Sequence, residues 1–114
     1  MNHRYRLSSS KDFKRVRRTG KSYAHPFAVL IVEKNELNRI RIGVAAGKSS
    51  GNAVQRNRAK RLLRESIRRH LTDIESGNDI ILLARKRTCE TNWNALSQAI
   101  DELLRRSGIL KKQE

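Results

Sequence analysis

The amino-acid sequence predicts a single α/β (α+β) domain, a two-layer sandwich with its elements in the order α-β-β-α-β-α. Three observations predict it. A chain of 114 residues has room for one small core and none for a catalytic module beside a binding module. Two strand-like apolar runs precede a long helical stretch and a third follows it, so the sheet is mostly antiparallel with one parallel strand-helix-strand crossover. Three stretches place apolar residues at helical spacing between recognisable caps. Because hydrophobic residues make up 37% of the chain and aromatics only 4%, the core must be built from Leu, Ile, Val and Ala. Residues 1–114 read as one domain, with a basic arm over 1–8 and a basic tail over 109–114.

The segment Met1 to Lys21 carries cations from Arg4 onward against the single acid Asp12. It reads as an arm leading into a short helix: Ser9 and Asp12 stand at capping-box spacing, Phe13 and Val16 share a face, and Gly20 suits the stop. A helix this short must dock on the rest of the domain to persist. The run from Pro26 to Val32 is continuously apolar and predicts a strand, and polar Glu33 to Arg39 predicts a turn. Ile40 to Ala46 alternates, with Ile40, Ile42, Val44 and Ala46 on one face and Arg41, Gly43 and Ala45 on the other. Paired antiparallel, these two strands would present one shallow, partly basic face suited to a groove.

The Gly47 to Gly51 loop leads to Asn52, a good N-cap for a helix running through Leu71. Asn78 to Arg85 contains Ile80, Ile81, Leu82, Leu83 and Ala84, a strand apolar on both faces and therefore central or covered. The final helix starts after Asn92, aligns Trp93, Leu96, Ile100, Leu103 and Leu104, and closes at Gly108. Trp93, at its first turn, is assigned to the core rather than to base stacking. General rules make the crossover right-handed.

With 26 Lys and Arg against 11 Asp and Glu, the formal net charge is +15. Such a field suits a polyanion, and nucleic acid is favoured over an anionic membrane. No apolar run approaches the roughly 20 residues that span a bilayer, and the N-terminus lacks the apolar core of a signal peptide. A soluble, cytoplasmic protein without a membrane partner is expected. Cys89 is the only cysteine, which excludes an internal disulfide and every Cys-pair zinc site. His3, His25 and His70 are too widely spaced to hold a metal together.

The helix after Asn52 carries two opposed stripes at about 100° per residue. Asn57, Lys60, Arg61, Arg64 and Arg68 fall on one side, while Ala59, Leu62, Leu63 and Ile67 fall opposite and should pack on the sheet. Arg56, Arg58 and Arg69 flank the basic stripe, so seven cations stand within 14 residues against one acid, Glu65. A merely solvated face normally mixes signs that pair at i,i+4. An all-cation stripe repels itself unless a polyanion neutralises it, which points to phosphate binding. Arginine outnumbers lysine, favouring forked contacts to phosphate and stacking on bases. Asn57 can donate and accept at once. The helix N-terminus at Ala53 adds N–H donors, and Lys48 in the loop would extend that anion site.

Two catalytic signals fail. Gly43 to Ser49 resembles a phosphate-binding P-loop but has three residues between its glycines where four are needed, and Gly51 rather than a helix follows. Asp12, Asp73, Asp79 and Asp101 are scattered, mostly at expected caps and turns, so no paired carboxylates or His pair equip the chain to cleave a phosphodiester by itself.

The segment from Lys48 to Glu65, with its Arg56-Asn57-Arg58 core followed by Lys60-Arg61, resembles the signature of the bacterial ribonuclease P protein family. The similarity extends to Arg6-Leu7, Asp12-Phe13, Arg41-Ile42-Gly43-Val44, Asp79-Ile80-Ile81 and Ala84-Arg85, in matching order. The resemblance implies a ribosomal S5 domain 2-like sandwich whose crossover is left-handed, against the general rule. It also implies a function: binding a catalytic RNA subunit that removes the 5′ leader of precursor tRNA with Mg²⁺ held mainly by the RNA, with no organic cofactor and no obligate protein partner.

Carried over by position, Arg56, Asn57, Arg58, Lys60, Arg61, Arg64 and Arg68, with Lys48 and Asn52, would face RNA. Phe13 matches an aromatic of the family's leader groove, between the first helix and the open sheet face, with Arg6, Lys14, Arg17, Ile31 and Arg41 beside it. Arg17 stands where many members carry a second aromatic, and Ile31 where a strand tyrosine often faces the leader. Since base–aromatic stacking contributes about 1–3 kcal/mol per base, this groove is expected to lean on charge. The rivals are a structural RNA-binding protein of the ribosome, which shares small size and basicity, and a P-loop phosphotransferase.

Overall fold

The computed structural model describes residues 5–112. The first four positions of the expected arm, with His3 and Arg4, and the last two of the expected tail lie outside the described residues. In chain order the elements are α1 (Ser10–Thr19), β1 (Lys21–His25), β2 (Ala28–Lys34), β3 (Arg41–Ala45), α2 (Ala53–Arg68), β4 (Asn78–Ala84) and α3 (Trp93–Ser107). The sheet order is β1-β2-β4-β3. β1 pairs antiparallel with β2, β2 antiparallel with β4, and β4 parallel with β3. The expected α+β class and the single parallel crossover, β3-α2-β4, are therefore present.

Three features of the strands differ from expectation. Lys21–His25 forms an edge strand that the sequence reading left out. Its residues alternate between exposed and half-buried, so no apolar run announces it. Pro26 and Phe27 do not open the second strand but make the two-residue connection between His25 and Ala28. There the Phe27 N–H donates to His25 Nδ1 at 3.0 Å. Nor do β2 and β3 pair with each other. β4 lies between them, because a strand apolar on both sides loses more by standing at an edge than either neighbour does.

Alternation distributes the sheet over two clusters. Leu30, Val32, Ile80 and Leu82 point to the side covered by α2 and α3, where Leu63, Ile67, Leu96, Ile100, Leu103 and Leu104 meet them. Ile31 and Ile81 point to the other side, where Leu7 and Val16 cover them and Phe13 packs at the margin. Chain ends add short pairings: Arg6 bridges Ile42 in parallel, and Ile74 bridges Leu110 antiparallel. α2 ends three residues earlier than expected, at Arg68, and Leu71–Asp73 forms a separate 3-10 turn. Trp93 is half-buried rather than core, with the Arg69 guanidinium 4.5 Å above its ring. Among the described residues no helix is long and apolar enough to cross a membrane.

Candidate nucleic-acid interface

α2 starts where its sequence dictates. Asn52 Oδ1 accepts the Gln55 backbone N–H at 2.9 Å and Gln55 Oε1 accepts the Asn52 N–H at 2.8 Å, a complete capping box. Gly51 makes it possible: its φ is +121°, and a β carbon there would stand 2.3 Å from Gln55 Oε1. Ala59, Leu63 and Ile67 are buried as expected, and Leu62 is half-buried against the same core. The opposite face is left to the cations. Asn57, Lys60, Arg61, Arg64 and Arg68, with Glu65, line a depression of about 430 Å³ along the helix.

Electrostatics decide what that face can do. Among the described residues, ion pairs form around Arg15, Arg41 and Arg105, His25 Nε2 lies 3.3 Å from Glu102 Oε2, and none of these contacts involves a cation of α2. Lys60, Arg61, Arg64 and Arg68 thus remain a ridge of like charge, neither buried nor neutralised. Two flanking cations are partly committed elsewhere. Arg58 Nε donates to the Cys89 carbonyl at 3.2 Å, and Arg69 covers Trp93, so both tie α2 to the region where α3 begins. Arg56 is half-buried, and Lys48 is exposed in a short turn before the cap. Val54, 78% exposed, stands near the head of the ridge and offers an apolar contact that the sequence reading did not assign.

A second depression, of about 290 Å³, adjoins the ridge at the edge strand β3. Arg6, Phe13, Gly43, Val44 and Arg64 are among its walls, so Arg64 borders both depressions. Gly43 matters through size: a β carbon there would meet the Phe13 ring at 2.9 Å and the Leu7 carbonyl at 3.3 Å. Of the residues expected in the groove, Arg6 and Phe13 line this depression, while Lys14 and Arg17 are exposed on α1. Ile31 and Arg41 are corrected. Ile31 is 5% exposed and packs beneath α1 with Val16, because Gly20 lets the chain close over it. Arg41 is committed to two carboxylates.

Those carboxylates were the least legible part of the site. Asp79, expected at a turn, is fully buried in β4. Its Oδ1 accepts from Arg41 Nε at 2.8 Å and Asn35 Nδ2 at 2.7 Å, and its Oδ2 from Arg41 Nη2 at 2.8 Å and Arg15 Nη2 at 2.9 Å. Asp12 takes Arg41 Nη1 at 3.1 Å, and Glu33 accepts from Arg15 and Thr19. Burial pushes the Asp79 carboxyl up, but the bonds from Arg41, Asn35 and Arg15 together outweigh it and hold it below the usual aspartate range. Arg15 and Arg41 are shifted upward, first by their bonds to Asp79. The available signal was an acid at the mouth of an otherwise apolar strand.

An unneutralised cationic helix beside a groove walled in part by Phe13, on a small α+β sheet, is the footprint of a nucleic-acid-binding domain. Residues 1–108 match the Ribonuclease P family, and the chain belongs to that family. It is 42% identical over 106 residues to the Ribonuclease P protein component of Natranaerobius thermophilus, covering 93% of this chain and 92% of that one. To the Ribonuclease P protein component of Herpetosiphon aurantiacus it is 38% identical over 109 residues, covering 96% and 89%. Among solved structures, the RNase P protein of Staphylococcus aureus superposes with a TM-score of 0.82 at 30% identity, covering 94% of this chain and 98% of that one. The RNase P protein of Thermotoga maritima superposes with a TM-score of 0.78 at 30% identity, covering 89% and 96%.

Proposed function

We propose that this chain is the protein subunit of a ribonuclease P ribonucleoprotein, binding a catalytic RNA along the α2 ridge and the 5′ leader of precursor tRNA in the groove between α1 and β3. One observation carries the reading: Lys60, Arg61, Arg64 and Arg68 form a like-charged face without an ion pair among the described residues, in a chain of this family. Arg64, bordering both depressions, is where the RNA subunit and the leader would come together. Phe13 supplies one stacking surface, and Arg6, Lys14 and Arg17 supply charge for the leader phosphates. Lys48 and the N–H groups at the start of α2 extend the phosphate track, while Asn52 serves it indirectly as the cap.

Phosphodiester hydrolysis belongs to the RNA in this reading. Among the described residues no three His, Cys, Asp or Glu side chains gather in a metal-holding group. The Mg²⁺ required for cleavage would be held mainly by RNA. The protein's part is to neutralise phosphate repulsion and to orient two RNAs, in the cytoplasm and without an obligate protein partner. The test combines catalytic RNA, labelled precursor tRNA and limiting Mg²⁺, with and without this protein. Faster multiple-turnover removal of the leader is expected when it is present. Cleavage unaffected by the protein would reject the proposal.

A further inference from the structure

We propose that Asp79 is a positioning residue for the groove: through Arg15 and Arg41 it fixes the rotation of α1 about its own axis, and with it the place of Phe13. The inference rests on the leader-binding reading above. α1 buries only one side chain completely, Val16, and rests otherwise on the half-buried Phe13 ring. Apolar contact is non-directional and by itself sets the roll of a ten-residue helix only loosely. Forked, charge-assisted hydrogen bonds are directional. Asp12 and Arg15, three residues apart on one face of α1, engage the sheet at Arg41 and Asp79 respectively. Phe13 lies next to this latch, and its ring abuts Gly43 in the strand that carries Arg41.

A buried ion pair is weak evidence for stability, because a well-packed apolar replacement is often as good. Orientation is what an apolar group would not provide. The cluster also sorts the groove's cations into two kinds. Arg15 and Arg41 are committed to Asp79, Asp12 and Glu33, whereas Lys14, Arg17 and Arg64 have no ion pair among the described residues. Removing a cation of the second kind should delete a phosphate contact. Removing Arg15 should delete none and instead let α1 turn.

The test uses the protein assembled with catalytic RNA and measures affinity for precursor tRNA with and without its 5′ leader, across a salt series. Arg15→Gln is the main variant, since Arg15 is one-third exposed and its loss leaves the Asp79–Arg41 pair in place. Asp79→Asn is the second. Expected for Arg15→Gln is a loss of about tenfold in the preference for the leader-bearing substrate, comparable to one lost contact. Affinity for the catalytic RNA and for leaderless tRNA should not change, nor should the salt slope of leader binding, because no phosphate contact is lost. Asp79→Asn, if it folds, should lose the same preference. A retained leader preference in Arg15→Gln overturns the inference. So does a salt slope lower by about one, which would make Arg15 a direct phosphate contact. A wild-type protein with no leader preference would instead refute the functional reading itself.

Discussion

At Gly43 the strand and the first helix approach so closely that a methyl group would stand 2.9 Å from the Phe13 ring. Gly43→Ala should therefore displace the ring rather than the backbone. Stability should fall by no more than about 1 kcal/mol, toward the low end of overpacking costs because the ring can swing outward. Affinity for leader-bearing precursor should fall while affinity for catalytic RNA holds, which paired denaturation and binding measurements would check. Asp79 is a different kind of residue. Its folded pKa lies below the usual aspartate range, so its stabilising contribution is complete above that range and is lost as pH falls through the depressed folded value. Asp79→Ala should cost about 3–5 kcal/mol at neutral pH, the order seen when one partner of a buried pair is removed. The gap between wild type and variant should narrow only in acid below the ordinary aspartate range, as urea midpoints against pH would reveal. The sequence showed Asp79 only as an isolated acid, because its partners Arg15, Asn35 and Arg41 lie 38 to 64 positions away and one buried carboxylate leaves no periodic trace.

Among the elements, α2 was the most legible because both of its faces are periodic and its start is capped by side chains within three residues. Asn52→Ala should remove the capping-box bond and cost about 1 kcal/mol, read as a shift in the denaturation midpoint. The strands were less legible. β1 carries no apolar signal, since its partner β2 and α3 supply the burial that its own residues lack. Strand order was hidden for a related reason: β2 and β3 are both apolar enough to be neighbours, and only the two-sided burial of β4 decides which strand stands between them. The groove followed that error. Sequence periodicity found a shallow face at Gly43 but put Arg41 in the opening, where Asp79 holds it, and the family resemblance put Ile31 there, where α1 covers it.

For the molecule as a whole, charge is divided by use. Of the 11 acidic residues, Asp12, Glu33 and Asp79 gather on the α1 side of the sheet, where they neutralise Arg15 and Arg41. On the α2 ridge Glu65 is the one acid of the helix and forms no ion pair among the described residues, so much of the +15 net charge is left to act outward. The direct test is the affinity of the protein for catalytic RNA across a salt series, for wild type and for Arg61→Ala and Arg64→Ala. A steep linear fall of log affinity with log salt is predicted, with each substitution reducing the slope by about one. A nearly flat plot, or variants that follow the wild-type line, would contradict the claim that this ridge is neutralised by RNA phosphate.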